Sequence, residues 1–218
     1  MIVLVIYSCI VIYPMLWIVY TSFKTSSEFY DNPFSLPKRL NVENYVNAVM
    51  KARIGDYFIN SVIITVVSII FIVMLSMATA YVVARFKTAY TGFLSSLYLG
   101  GLLVPSMFVL VPEFLLLNKL RILDTRVGLV IVYVAFSLSF TIFVLAAFFR
   151  GISKEYEESA LIDGCSYYGI LLKIIAPMSR PAIVTVIIFN FLGLWNEYNF
   201  ALVIVSSETK RTIPVGLA

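Results

Sequence analysis

The 218-residue chain is 61% hydrophobic and 13% charged, against roughly half apolar and a quarter charged in soluble domains, and its mean hydropathy is +0.97. That balance excludes a water-soluble fold, and several apolar segments with short loops between them leave no stretch here for a separate soluble catalytic domain. The net charge of +4 comes from 16 basic and 12 acidic residues scattered over loops rather than gathered in a stripe, which points to anionic lipid and not to nucleic acid.

Ile2 to Tyr20 lacks the basic n-region and small-residue cleavage site of a signal peptide, so it reads as a retained span. Thr21 to Asp56 is too charged to cross a bilayer; Pro33, Pro37 and Asn41 mark turns, and a short helix is predicted around Val42 to Lys51. A second span, about 57–84, is stopped by Arg85 and Lys87. The third, about 92–117, carries Gly100, Gly101, Pro105 and Pro112, which allow either a bend lining a pathway or close helix packing at Gly100. A fourth covers 127–149 and a fifth about 182–205. Apolar runs such as 59–77 and 127–149 match the roughly 20 residues that cross a bilayer core of about 30 Å. The predicted fold is therefore an all-α, polytopic transmembrane helical bundle, one domain over residues 1–218. Cys9 lies in an apolar segment, Cys165 in a distant polar loop, and histidine is absent, so neither a structural disulfide nor a metal site is expected, and no cofactor.

The loop 150–181 is the most informative. Ser153 is placed to cap a helix whose first turns hold Glu155, Glu157 and Glu158, anions at the positive end of the helix dipole. Gly164 suits the left-handed position that stops it. A second helix is predicted to start near Ser166 and to end before Pro177, because proline disfavours helical geometry in the residue before it. A plain connector between spans needs no such structure, so the loop is expected to dock against something.

Glu158, Ser159, Ala160, three residues, Gly164, nine residues, Ile174, one residue, Ala176, Pro177 resembles the EAA loop of the membrane-spanning permeases of bacterial ATP-binding-cassette importers, with Ser159 in place of alanine and Ala176 in place of leucine. Asp163 beside Gly164 is similar to the carbohydrate-uptake branch, the maltose-type second permease. So are Asn60 and Ser61, the run from Ala80 to Arg85, the run from Gly193 to Tyr198, and the run from Thr212 to Ala218, in the family's order. The resemblance implies a binding-protein-dependent importer of a mono- or oligosaccharide in the bacterial cell membrane, working by alternating access, and a sixth span beyond the five seen here. Its implied partners are two ATPase subunits, a homologous second permease and an extracellular or periplasmic solute-binding protein. No phosphate loop of the G-x-x-x-x-G-K-[ST] type occurs in the chain, so this subunit is expected to be no enzyme, with ATP hydrolysis in a separate polypeptide.

The family's loop faces the cytoplasm and contacts the ATPase, which maps that role onto Glu157, Glu158, Ser159, Ala160, Asp163 and Gly164. Counting basic residues alone favours the opposite orientation, with Arg85, Lys87, Arg150, Lys154, Lys173 and Arg180 on one side and the other basic residues on the second. The resemblance also puts Thr212 to Ala218 in an outward loop near the binding protein, with a mobile tip. Trp195, Asn196 and Glu197 suit a sugar path or a binding-protein contact, or else a membrane-interface aromatic with polar neighbours. Asn190 either joins that path or makes an interhelical hydrogen bond. The competing function is an ion-coupled secondary transporter or channel subunit, which would place carboxylates at the midplane; Glu113 and Glu197 are expected nearer the outer ends. A membrane scaffold ranks last, since it predicts no structured loop.

Overall fold

The computed structural model describes residues 1–50 and 53–218. Its helices are α1 (Ile2–Thr21), α2 (Ser26–Asp31), α3 (Glu43–Met50), α4 (Ile54–Arg85), α5 (Ala89–Leu102), α6 (Ser106–Lys119), α7 (Arg126–Arg150), α8 (Glu155–Ile162), α9 (Tyr167–Ile170), α10 (Ala176–Met178), α11 (Arg180–Trp195), α12 (Asn199–Ile204) and α13 (Ile213–Leu217). No strand occurs among the described residues. The helices α1, α4 and α7 are each long and apolar enough to cross a membrane, and two bent pairs, α5 with α6 and α9–α10 with α11, bring the number to as many as five. The chain divides into two compact units, Met1–Gly55 and Asp56–Ala218.

In the first unit α1 buries none of its residues, as expected of a helix apolar on every face and solvated by lipid. The turn after it is organised by Lys24, which is 2% exposed. Its Nζ donates to the carbonyls of Asn32 (2.9 Å) and Pro33 (3.3 Å) and to Ser35 Oγ (3.1 Å). A buried ammonium is tolerated because these oxygens replace its water shell. The predicted short helix is α3; Lys51, its expected last residue, lies outside the described residues.

In the second unit α7 is the central element, packed against α5, α11 and α12. Two apolar cores form. One gathers Ala80, Tyr81, Leu145, Phe149, Ala160 and Ile175 at the end that carries the 150–181 loop. The other gathers Ile64, Leu129, Tyr133, Phe200, Ile204 and Val215 towards the opposite end. The buried face of α4 carries Ser61, Thr65, Ser68, Ser76 and Ala80, small or hydroxylated side chains at helical spacing that permit close approach of a neighbour.

The structure corrects the sequence reading at four places. The third span turns through 106° between α5 and α6, at Leu103 to Pro105, while Pro112 sits inside an unbroken α6. Close packing there occurs at Gly101 and not at Gly100: a side chain on residue 101 would meet Ser139 Oγ of α7 at 2.5 Å, whereas residue 100 has open space. Pro177 does not end its helix. Leu171–Ile175 forms a π-turn in which the Ala176 N–H donates to the Leu171 carbonyl, and Ala176 keeps helical angles (φ −63°, ψ −46°). The wider turn carries the chain past a proline ring that would otherwise press on the carbonyl four residues back. The break comes at Ser179, where α11 departs at 80°. The fifth span stops at Trp195, and α12 is a separate short helix after a break at Asn196 to Tyr198. Finally, Thr212 to Ala218 is not an irregular loop: Ile213–Leu217 forms α13, with Thr212 and Val215 buried. A Cβ on Gly216 would collide with the Tyr57 ring, so only glycine allows this approach.

Candidate coupling loop and the carboxylates at the opposite end

The loop 150–181 contains α8, whose C-terminal stop is the one expected from its sequence, whereas its N-cap is Lys154, which makes no side-chain cap bond, and not Ser153. Ser153 Oγ accepts the Glu155 N–H at 3.3 Å, one of the orphan donors at a helix start. At the other end Gly164 has φ +79°. Its N–H donates to the Leu161 carbonyl (3.0 Å) and the Cys165 N–H to the Ala160 carbonyl (2.8 Å), the paired bonds of a Schellman stop. Ser166 then caps α9 by accepting the Gly169 N–H at 3.2 Å. Because the left-handed region disfavours L-residues by roughly 1–2 kcal/mol, and β-branched ones by more, Gly164→Val is expected to fray α8. Amide exchange over residues 158–163 should then quicken at least about tenfold, with the spans unchanged.

α8 has two faces. Glu157 and Ala160, three apart, are buried. Glu157 Oε2 accepts the Tyr81 hydroxyl at 2.9 Å, and its other oxygen pairs with Arg85 Nε. Arg85 Nη2 also donates to the Ile152 carbonyl at 3.1 Å. The end of α4 is thus pinned to α8 through a charge pair whose side chains are only 6% and 10% exposed. Glu155, Glu158, Ser159 and Ile162 share the exposed face, and Asp163 and Gly164 are exposed as well. Of the six residues expected to meet a partner, four are therefore presented. Glu157 and Ala160 are not, a correction whose cause is the inward turn of that face onto α4 and the apolar core. Sequence reasoning missed the apolar members of the outer surface: Ile162 is 87% exposed, Tyr168 81% and Tyr156 54%. The signal for Ile162 was an apolar residue on the same helical face as Glu155, Glu158 and Ser159.

At the opposite end of the unit, Glu197 is committed to its own chain. Its Oε1 accepts the Phe200 N–H (2.8 Å), and its Oε2 accepts the Ala201 N–H (3.1 Å) and the Tyr133 hydroxyl (2.8 Å). It serves as the anionic cap of α12 and ties that helix to α7. Asn190 is buried and donates from Nδ2 to Thr141 Oγ1 of α7 at 3.0 Å and to the Val186 carbonyl at 2.7 Å. This is the interhelical bond read as its alternative. Trp195 stacks on Phe191 (5.5 Å, 21°) with Phe58 edge-on at 5.8 Å. Asn196 is exposed and donates back to the Leu192 carbonyl at 2.8 Å. The expected sugar-path group is thus split: Trp195 and Asn196 keep open surface, while Glu197 and Asn190 are spent on internal contacts.

The same end is closed by Asp124, a residue in the left-handed region (φ +54°). Its N–H donates to the Ile204 carbonyl at 2.9 Å. Its carboxylate accepts the N–H groups of Ser206 (3.1 Å) and Ser207 (2.9 Å), the Ser207 hydroxyl, and Lys210 Nζ at 3.2 Å. The hydrogen bonds from Ser207, with help from Lys210, hold the Asp124 carboxyl well below the usual carboxylate range. A depressed folded-state value contributes stability above the ordinary carboxyl pKa of about 3.9 and loses it only as pH falls further, through the folded-state value. The clasp is therefore expected to stay closed from pH 8 to 5, with Ser206 and Ser207 amide protection, corrected for intrinsic exchange, constant over that range. Asp124→Ala should remove that protection at every pH.

Arg85 and residues 150–157 meet at one end of the unit; Asn60, whose Nδ2 donates to the Thr209 and Arg211 carbonyls, meets the Asp124 clasp region at the other. Apolar spans with a helix docked at one end and a hydrogen-bonded clasp at the other define a polytopic α-helical membrane protein. Residues 75–217 match the family described as binding-protein-dependent transport system inner membrane component, and the chain belongs to that family. It is 41% identical over 215 residues to the diacetylchitobiose uptake system permease protein NgcG of Streptomyces coelicolor, covering 99% of this chain and 71% of that one. It is 33% identical over 211 residues to the probable starch degradation products transport system permease protein AmyC of Thermoanaerobacterium thermosulfurigenes, covering 97% and 77%. In fold it resembles a chain from the crystal structure of a bacterial ABC transporter involved in import of the acidic polysaccharide alginate, with TM-score 0.88, 23% identity, and coverage of 99% and 75%. The protein is accordingly an inner-membrane transport component and not an enzyme.

Proposed function

We propose that this chain is a permease subunit of an ATP-driven, binding-protein-dependent importer of a mono- or oligosaccharide. The observation that carries the reading is α8: a helix with an exposed face of Glu158, Ser159 and Ile162, fixed by Glu157 to Arg85 and Tyr81 at the end of a membrane-spanning helix. A partner that seats on the outer face and moves pulls on α4 directly, because the inner face is bonded to it. That is the mechanical requirement for switching the spans between two access states. Carbohydrate as the solute is supported by the diacetylchitobiose and starch-product systems named for the relatives. Two ATPase subunits, a homologous second permease and an external solute-binding protein complete the assembly, with the 150–181 loop in the cytoplasm and the Asp124 end facing outward. Against Glu197 as an ion-coupling group stands its use within the chain, since its oxygens accept amides of α12 and a tyrosine hydroxyl.

The test is uptake of labelled oligosaccharides by proteoliposomes holding the permease with its partner subunits. Uptake that requires both ATP and the binding protein is expected. Uptake driven by an ion gradient in the absence of ATP would instead establish the secondary-transporter reading.

A further inference from the structure

A cavity of about 870 Å³ opens at the C-terminal ends of α4 and α7, lined by Arg85 and Arg150. Lys87, Arg150 and Lys154 line it, with the hydroxyls of Thr88, Ser95 and Ser153 between them, and no acidic residue is among its lining residues. Arg85, in the same wall, is neutralised by Glu157. Among the described residues Lys87, Arg150 and Lys154 meet no carboxylate. Three cations that meet no carboxylate and line one cavity favour a multivalent anion, and a phosphate group matches both the charges and the hydroxyl donors.

What selects a lipid phosphate over a free one is the adjoining cleft. A second, smaller cavity of about 110 Å³ shares Val83, Ser95 and Arg150 with the first and runs between α5 and α7 along Tyr98, Leu99, Phe143 and Ala146. An anion-binding mouth joined to an apolar slot between two spans fits an amphipathic ligand whose head is acidic and whose tail is hydrocarbon. We propose that the two cavities together bind one anionic phospholipid, its phosphate among Lys87, Arg150 and Lys154 and part of an acyl chain between α5 and α7. Ser153 and Lys154 belong to the cavity and also lead into α8, so an occupied site steadies the segment from which α8 departs. On the orientation argued above, the lipid comes from the cytoplasmic leaflet; the site itself does not depend on which solute is carried.

The assembled transporter, purified in detergent, is titrated with phosphatidylglycerol or phosphatidylcholine and its bound lipid read by native mass spectrometry. One phosphatidylglycerol should be retained, phosphatidylcholine should not, and millimolar inorganic phosphate should fail to displace the lipid. Each basic residue close to an anionic headgroup contributes a similar increment, so the Lys87→Gln/Arg150→Gln/Lys154→Gln variant should bind about 100-fold more weakly. Ser95→Phe leaves every charge in place and blocks the junction of the two cavities; it should lose the lipid as well, with unchanged helical content by circular dichroism. Undiminished phosphatidylglycerol binding in both variants, equal retention of phosphatidylcholine, displacement by inorganic phosphate, or occupation of the cavity by a neighbouring subunit in the assembled transporter would each overturn the assignment.

Discussion

Glu158→Lys combined with Ile162→Asp is expected to lower ATP-dependent uptake at least about 100-fold while the permease reaches the membrane at normal levels. Ile162, 87% exposed, stands among Glu155, Glu158 and Asp163. Lipid is a poor cover for a surface that carries those carboxylates, and an apolar residue displayed in that setting marks a protein contact. On the proposed docking, the lysine at 158 meets the basic partner surface that would pair with Glu158, a like-charge contact that costs several kcal/mol, and the aspartate at 162 buries a carboxylate where an apolar contact is expected. Neither side chain touches the core of its own chain, so the spans should be unchanged and thermal unfolding should stay within about 1 kcal/mol of the parent, the loss of a first-turn anion from α8 being the main cost. Full uptake by the double variant would remove the docking role from this face. Ala160 is unsuited to the same test. It is packed with Ile170 and Phe149 in the core, so a tryptophan there would destabilise the loop by overpacking of about 1–3 kcal/mol, and lost uptake would say nothing about a partner.

Glu157→Ala should act differently, through stability. It strands Arg85 in a setting where the guanidinium is 6% exposed and has no other carboxylate among the described residues. Removing one member of a buried ion pair costs about 3–5 kcal/mol. We expect a lower unfolding midpoint, weaker protection of α8, and uncoupled ATP hydrolysis in whatever transporter assembles. Replacing the whole set, as Arg85→Met with Glu157→Leu and Tyr81→Phe, removes the stranded groups together and should restore most of the midpoint. Should the single Glu157→Ala variant unfold like the parent, the charge pair does not hold α8 to α4.

Much of this was legible in the sequence because the signals are local. The apolar runs locate the spans, and Gly164 and Ser166 mark the end of α8 and the start of α9 through capping chemistry that involves only neighbouring residues. What escaped was set by distant contacts. Glu157 and Glu158 are adjacent carboxylates, and only the position of Arg85 and Tyr81 decides that the first turns in and the second out. Glu197 read as a candidate for a sugar path because its bonds to Tyr133, Phe200 and Ala201 form only once the span breaks after Trp195. Pro177 reads as a stop by a rule for α-helical geometry, which the π-turn at Leu171–Ile175 evades. The Ser61, Thr65, Ser68, Ser76 and Ala80 face of α4 was open to a reading by helical spacing, since its members recur every three to four residues or a multiple of that.

The central claim is that the exposed face of α8 seats on an ATPase subunit. It is tested most directly by placing a photo-activated cross-linking side chain at Ile162, and as a control at exposed Thr209 near the other end, in a transporter shown to be assembled and active. The account expects the probe at 162 to capture the ATPase subunit, with a yield that changes when ATP is bound, and the probe at 209 never to do so. Capture of the ATPase from 209, or none from 162 in the active complex, would contradict it.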